Sequence, residues 1–227
     1  NKLVTVESGK IDHLIPVLQA LETRIITIAQ SERPGLLAYL NNLGLTEVSN
    51  AAIVDIGYSA TVQGYLNDLI NKGINGYYLM TRKRAEQVSS KYKVIAQGYF
   101  CHYIHPDINS PVILRESFSL EKLLSSDDAQ IVSYRQADSG DILPEFRHLA
   151  DEERLSMLKR AEIRRGIMDF VNQSIMIRDK LVSDFKVPPD IAIDLFEEFI
   201  AHPSQAEQDI LGALVLDDHY CGRGIVS

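Results

Sequence analysis

The chain has no tryptophan and only 2 cysteines, Cys101 and Cys221, among 227 residues. So few cysteines exclude a disulfide framework and point to a reducing, cytoplasmic setting, with a single bridge between the two left open. Long apolar runs are missing too. None reaches the roughly 18 residues that a membrane span requires, because the longest candidates, near Ile15 and Ile193, are interrupted by polar residues. Positive charge is in short supply: 23 Lys and Arg against 31 Asp and Glu give a net charge of −8. That balance argues against broad binding to nucleic acid, whose affinity comes largely from Lys and Arg on phosphates. The opening Asn1-Lys2-Leu3-Val4 carries neither an initiator methionine nor a signal-peptide pattern, so the chain is expected to be part of a larger protein with a neighbouring domain. No solenoid repeat and no low-complexity segment is present.

What is present is an ordinary apolar content of 45%, enough for a full core. The most informative stretch runs from Ala51 to Thr81. Ala52, Ile53 and Val54 form a short strand-like run, Asp55 to Ala60 suits a turn, and Val62, Leu66, Leu69 and Ile70 recur at helical spacing. Gly73 is expected to stop that helix, and Gly76 to Thr81, rich in aromatics, predicts a second strand. This is one βαβ unit.

Around it, Leu3 to Glu7 reads as a strand remnant and Ile11 to Gln30 as a helix, with Ser31 capping a second short helix through Leu40. Val94 to Tyr99 predicts a third strand, and Cys101 to Pro111 a loop carrying His102 and His105. Ser119 is expected to cap a helix through Leu124, followed by a short strand at Ile131 to Tyr134 and a turn-rich Asp138 to Pro144. Composition then changes. Asp151 to Phe185 predicts a long helix with an apolar stripe through Leu155, Leu158, Ile163, Met168, Val171 and Ile175. Pro188 and Pro189 open another, burying Ile193, Leu195, Phe196 and Phe199, and His202-Pro203-Ser204 starts a last one. The expected fold is α/β, a small Rossmann-like parallel sheet over residues 1–145 with a helical C-terminal region over 146–227.

The chemistry concentrates in the Asp55-Ile56-Gly57-Tyr58-Ser59-Ala60-Thr61 turn. It offers a carboxylate at a strand end, a flexible glycine and two hydroxyls at a helix start, where unpaired backbone N–H groups and the positive dipole end attract anions. The plain alternative is that Thr61 is an N-cap and Asp55 merely holds the turn. The turn is neither a Walker loop nor a complete G-x-G-x-x-G fingerprint. Arg82-Lys83-Arg84 follow the second strand, either as countercharge at the same sheet edge or as a solvated cluster. Glu116 and Glu121 flank the helix start after the loop and are candidates to approach that edge. His102 and His105, and separately Asp217-Asp218-His219-Tyr220-Cys221, lack the spacing of a zinc site, so no metal site is expected. No G-x-S-x-G nucleophile elbow occurs.

Val54-Asp55-Ile56-Gly57-Tyr58-Ser59-Ala60-Thr61-Val62-Gln63 resembles the D-I-G-[WY]-x-[GA]-T-x-Q segment of HAD-superfamily-like proteins linked to surface-polysaccharide synthesis. Leu120 to Ser126 followed by Ile131 to Tyr134 is similar to a second recurring segment of that family, so the resemblance spans roughly residues 37–134. It implies a HAD-like fold, an association with glycosyltransferase modules, and Mg²⁺ wherever HAD-like hydrolysis takes place. The chain departs from HAD phosphatases in lacking D-x-D-x-[TV], because Gly57 stands where the general-acid aspartate belongs. The turn also resembles the D-x-G-x-x-x-T of actin-like and sugar-kinase ATPases, but there it joins antiparallel strands, whereas Val62 to Lys72 is helical in pattern.

The resulting expectation is a domain that binds a phosphosugar or nucleotide-sugar. Backbone N–H groups near Ser59 and Ala60, with the Thr61 hydroxyl, would hold phosphate; Tyr58 would pack on the sugar or base. Asp55 and Gln63 would take hydroxyls, and Arg82 and Arg84 would supply countercharge. Glycosyl or phosphoryl transfer suits it better than hydrolysis. The rivals are a non-catalytic module that docks on a catalytic neighbour and a HAD-type phosphatase.

Overall fold

Alternation of short apolar runs with helical patterns calls for parallel strands joined by helices, because a parallel pair needs a long crossover. The computed structural model describes residues 12–105, 110–183, 186–218 and 224–226. The elements in chain order are α1 (Ile15–Asn42), β1 (Ala51–Asp55), α2 (Thr61–Ile70), β2 (Ile74–Arg82), α3 (Lys83–Tyr92), β3 (Ile95–Ile104), α4 (Val112–Arg115), α5 (Ser117–Leu124), β4 (Ile131–Gln136), β5 (Ile142–Phe146), α6 (Asp151–Lys180), α7 (Pro189–Ala201), α8 (Gln205–Ala213), β6 (Leu216–Asp218) and β7 (Gly224–Val226). The expected strand remnant at Leu3 to Glu7 lies outside the described residues.

The fold is mixed α/β, and the chain divides into two units, residues 1–47 with 131–145, and 48–130 with 146–227. The parallel sheet and the C-terminal helices belong to the same unit. In the first unit α1 lies against β4, where Gly35 comes so close that a Cβ there would sit 3.1 Å from the Cβ of Tyr134, and Tyr39 packs on the Tyr134 ring at 5.0 Å. The sequence predicts two helices here, broken at Ser31. Instead α1 runs on through Pro34, and the Ser31 hydroxyl donates back to the Ile28 carbonyl rather than capping a new helix.

The second unit carries the three-stranded parallel sheet in the order β1-β2-β3. Because the order advances in one direction, crossovers of the same hand put α2 and α3 on one face, where they pack against each other. Tyr78, Ala85, Val88 and Ala96 form the core beneath them. A second core joins Met80, Cys101, Ile113, Leu114 and Leu120, with Ile193 and Phe196 of α7 packed on it. Much of the opposite sheet face is uncovered: Val54 is 84% exposed, Ile95 67% and Tyr99 65%.

Several helix faces invert the expected stripe. In α2, Val62 is exposed while Gln63 and Gly64 are buried, and the helix is stopped by Asn71 in the left-handed region rather than by Gly73. Gln63 is clamped inside: its amide nitrogen donates to the Ile74 carbonyl at 2.7 Å and the Ile95 carbonyl at 2.8 Å, and its oxygen accepts from the Tyr78 hydroxyl at 3.0 Å. A side chain on Gly76 would collide with that amide at 2.3 Å. In α6, Leu155 and Leu158 are exposed and the polar Glu153, Ser156 and Arg160 are buried. Each buried one is partnered: Glu153 takes both guanidinium nitrogens of Arg147 and the Ala150 N–H, Ser156 accepts from the Val215 N–H, and Arg160 donates to the Ser126 and Val215 carbonyls. In α7, Leu195 of the expected buried side is exposed. The final helix follows expectation, since Ser204 accepts from the Glu207 N–H while Glu207 takes the Ser204 N–H.

Three further differences bear on the site. Arg82-Lys83-Arg84 straddle the end of β2 and the start of α3. Strand β3 continues to Ile104, so His102 lies on a strand rather than in a loop. Ser119 sits inside α5, its hydroxyl on Glu116, and is not a cap.

Replacing Gln63 with Leu keeps the volume but strands two carbonyls and a hydroxyl in the core. We expect a loss of about 3 kcal/mol in urea denaturation of Gln63→Leu, with the slope against denaturant unchanged.

Candidate functional site

The turn after β1 is closed by its own carboxylate. Asp55 Oδ1 accepts the Gly57 N–H at 2.8 Å, a local bond that aspartate makes readily in turns. The space a side chain at position 57 would enter is already taken, since a Cβ there would lie 3.1 Å from Asp55 Oδ1. Tyr58 then ties the turn to the neighbouring strand, its carbonyl accepting the Arg82 N–H at 2.9 Å. Ala60 adopts φ of 57° and is 2% exposed. That left-handed conformation costs a non-glycine residue about 1 kcal/mol, and alanine pairs the smallest side chain with a place in the core under α2.

Helix α2 starts at Thr61 with Ala60 in the capping position, so no side chain caps it. Thr61 is therefore not the N-cap that the plain alternative supposed, and among the described residues no side chain caps the first-turn N–H groups. Eight consecutive residues, Asp55 to Val62, line a cleft of about 370 Å³ that Glu121 and Ser125 of α5 complete. Two carboxylates, Asp55 and Glu121, thus face one space together with the hydroxyl residues Ser59, Thr61 and Ser125. The field of Asp55 reaches the core: the Tyr78 hydroxyl is held well above its ordinary pKa, first by burial and then by the Asp55 charge.

Of the residues expected at the site, Asp55, Gly57, Tyr58, Ser59, Ala60, Thr61 and Glu121 are brought together in this cleft. Gln63 is not, because its amide is consumed in the core. The expected countercharge is also placed elsewhere. Arg82 lies with its guanidinium 4.0 Å over the Tyr58 ring and donates to the Leu114 carbonyl at 3.2 Å and the Ser117 hydroxyl at 2.8 Å. It braces the turn from behind and occupies the Tyr58 ring face. Arg84 is exposed on α3, reaching Gln87. Among the described residues no Lys or Arg lines the cleft.

Ser125 was not anticipated, although it stands one helical turn after Glu121 and the helical period pointed to it. Among the described residues no three His, Cys, Asp or Glu side chains cluster as a metal site; His219, Tyr220 and Cys221 lie outside them. Cys101 is buried, and burial pushes its thiol pKa up, away from thiolate chemistry. No described helix is long and apolar enough to cross a membrane.

The brace and the surface cation can be told apart. Arg82→Lys loses the planar stacking on Tyr58 and the fixed placement of the one nitrogen that donates to both Leu114 and Ser117, and is expected to cost about 2 kcal/mol in urea denaturation, whereas Arg84→Ala is expected to stay within about 0.5 kcal/mol of the parent. Compared with family models, curated proteins and solved structures, the chain has no match.

Proposed function

We propose that the Asp55 turn binds a phosphorylated sugar or a nucleotide-sugar. The observation that carries this reading is the convergence of two carboxylates and an uncapped helix start on one cleft at the carboxyl end of a parallel strand. Ligands of open parallel sheets lie beyond the carboxyl ends of strands. The N–H groups at the start of α2 would take phosphate oxygens, while Asp55 and Glu121, as acceptors, would take sugar hydroxyls. With no Lys or Arg among the described lining residues, inorganic phosphate alone is poorly matched, and the hydroxyl-bearing part of the ligand carries the selectivity. In this reading the sheet is Rossmann-like and HAD-like, and the protein serves surface-polysaccharide synthesis, as the D-I-G-Y-S-A-T-V-Q resemblance implies. Gly57, which supplies no acid where a phosphatase would carry its second aspartate and where a Cβ would press on the Asp55 carboxylate at 3.1 Å, favours binding or group transfer over phosphatase chemistry.

A second reading, a docking module for a catalytic neighbour, is favoured by the uncovered sheet face, since parallel sheets are ordinarily covered on both sides. Thermal unfolding with sugar phosphates and nucleotide-sugars separates the two. At a ligand concentration 100 times Kd the melting temperature is expected to rise by roughly 5–10 °C. The rise should vanish in Asp55→Ala and shrink in Thr61→Ala. No rise with any of these ligands, in a protein that unfolds cooperatively, would leave the docking reading standing.

A further inference from the structure

Strand β3 is distorted where it forms the edge of the sheet. Tyr78 pairs with Gly98, Met80 with Cys101 and Arg82 with Ile104, so each two-residue step along β2 is met by three residues of β3. Two bulges therefore follow one another, and bulges re-aim side chains. The first folds the backbone so tightly that a Cβ on Gly98 would stand 2.0 Å from the Cys101 carbonyl oxygen. The second holds Tyr103 at φ of 53°, a left-handed conformation rare for an aromatic residue.

This distortion fixes one imidazole. The Gly98 N–H donates to His102 Nδ1 at 3.2 Å, and a backbone amide cannot be anything but a donor, so Nδ1 is the acceptor. The buried Thr81 hydroxyl lies 3.1 Å from the same nitrogen and accepts the Tyr103 N–H at 2.9 Å, which turns its own proton toward Nδ1. The neutral ring is thereby set with its proton on Nε2, for which no protein partner is found among the described residues. Tyr103 stacks on the imidazole at 3.8 Å and is anchored by its hydroxyl to Ser89 at 3.2 Å. Beside them lies a cavity of about 420 Å³ lined by Ile95, Ala96, Gln97, Gly98, His102 and Tyr103, within the size range of small-molecule sites.

We propose that this cavity is a ligand site for a flat, uncharged, carbonyl-bearing ring of the nucleobase class. Among the described residues the lining holds no carboxylate, Lys or Arg, which disfavours an ionic ligand. The fixed Nε2–H offers one donor to a carbonyl, the Gln97 amide both a donor and an acceptor, and the stacked imidazole an aromatic surface. The site shares no lining residue with the Asp55 cleft and stands whether or not that cleft binds a sugar phosphate.

Nucleosides test it, because they carry the base without the phosphate. Uridine, cytidine, adenosine and guanosine would each be titrated into the full chain while amide and imidazole NMR signals are followed. Saturable shifts centred on Gly98, His102 and Tyr103 are expected for at least one of them, with Kd on the order of 0.1–1 mM. In His102→Gln, whose side-chain oxygen can still accept from the Gly98 N–H, binding should weaken about tenfold. If that variant does not fold, Gln97→Ala serves instead, and it should weaken binding at least threefold. Unchanged binding in the variant, shifts confined to the Asp55 turn, or no shifts in the folded parent would overturn the proposal. A response to a short strand-forming peptide but to no nucleoside would overturn it in favour of strand addition at the edge.

Discussion

One buried side chain ties α2 to the second and third strands of the parallel sheet. Gln63 reaches from the first turn of α2 to carbonyls at the start of β2 and of β3, and to a hydroxyl on β2. A buried amide left without partners costs more than most single apolar contacts gain, so the strands, the helix and Tyr78 are obliged to meet in one arrangement. The placement of α2 follows, and with it the direction in which its free N–H groups point. The Asp55 turn is in this sense an outcome of core hydrogen bonding, although Gln63 does not touch the cleft.

A second constraint acts on the same turn from the opposite side. Arg82 stacks on Tyr58 and binds α4 and α5 through Leu114 and Ser117, so the segment bearing Glu121 is linked to the segment bearing Asp55 through one guanidinium. A cation expected to face a ligand instead sets the relative positions of the cleft's walls. The cleft keeps an acidic character as a result, which suits hydroxyl recognition better than charge pairing.

The βαβ unit was legible because its strands are short apolar runs and its turn uses Asp, Gly and Ser where the backbone bends. The last helix was legible from Ser204 at its cap. Other features depend on partners distant in the chain. Helix α3 was hidden because only Ala85 and Val88 of it are buried, too few to make a stripe. The inward faces of α2 and α6 were hidden because polar residues occupy them, and nothing local to Gln63, Glu153 or Arg160 announces the carbonyls and side chains that receive them. Ser31 suggested a break as the cap of a second helix, yet its hydroxyl turns back to the Ile28 carbonyl and α1 continues through Pro34, which removes one donor without ending the helix. Of the residues the sequence groups together, the turn and Glu121 of α5 line one cleft, whereas Arg82 and Arg84 are placed elsewhere because their partners lie on α4, α5 and α3.

The crowding around Gln63 has a consequence for how this sequence can vary. Gly76 leaves the volume the amide fills, and Gly64, on the next residue of α2, admits the ring of Tyr92 and the side chain of Val88, either of which a Cβ there would strike at 3.0 Å or less. None of these positions can change alone without a collision or an orphaned polar group. The amide, the two glycines and the tyrosine pair around them must therefore drift as a linked set, and a larger residue at position 76 calls for both a smaller side chain at position 63 and a shift of the Tyr78 ring, which a Cβ at 76 would strike at 2.6 Å.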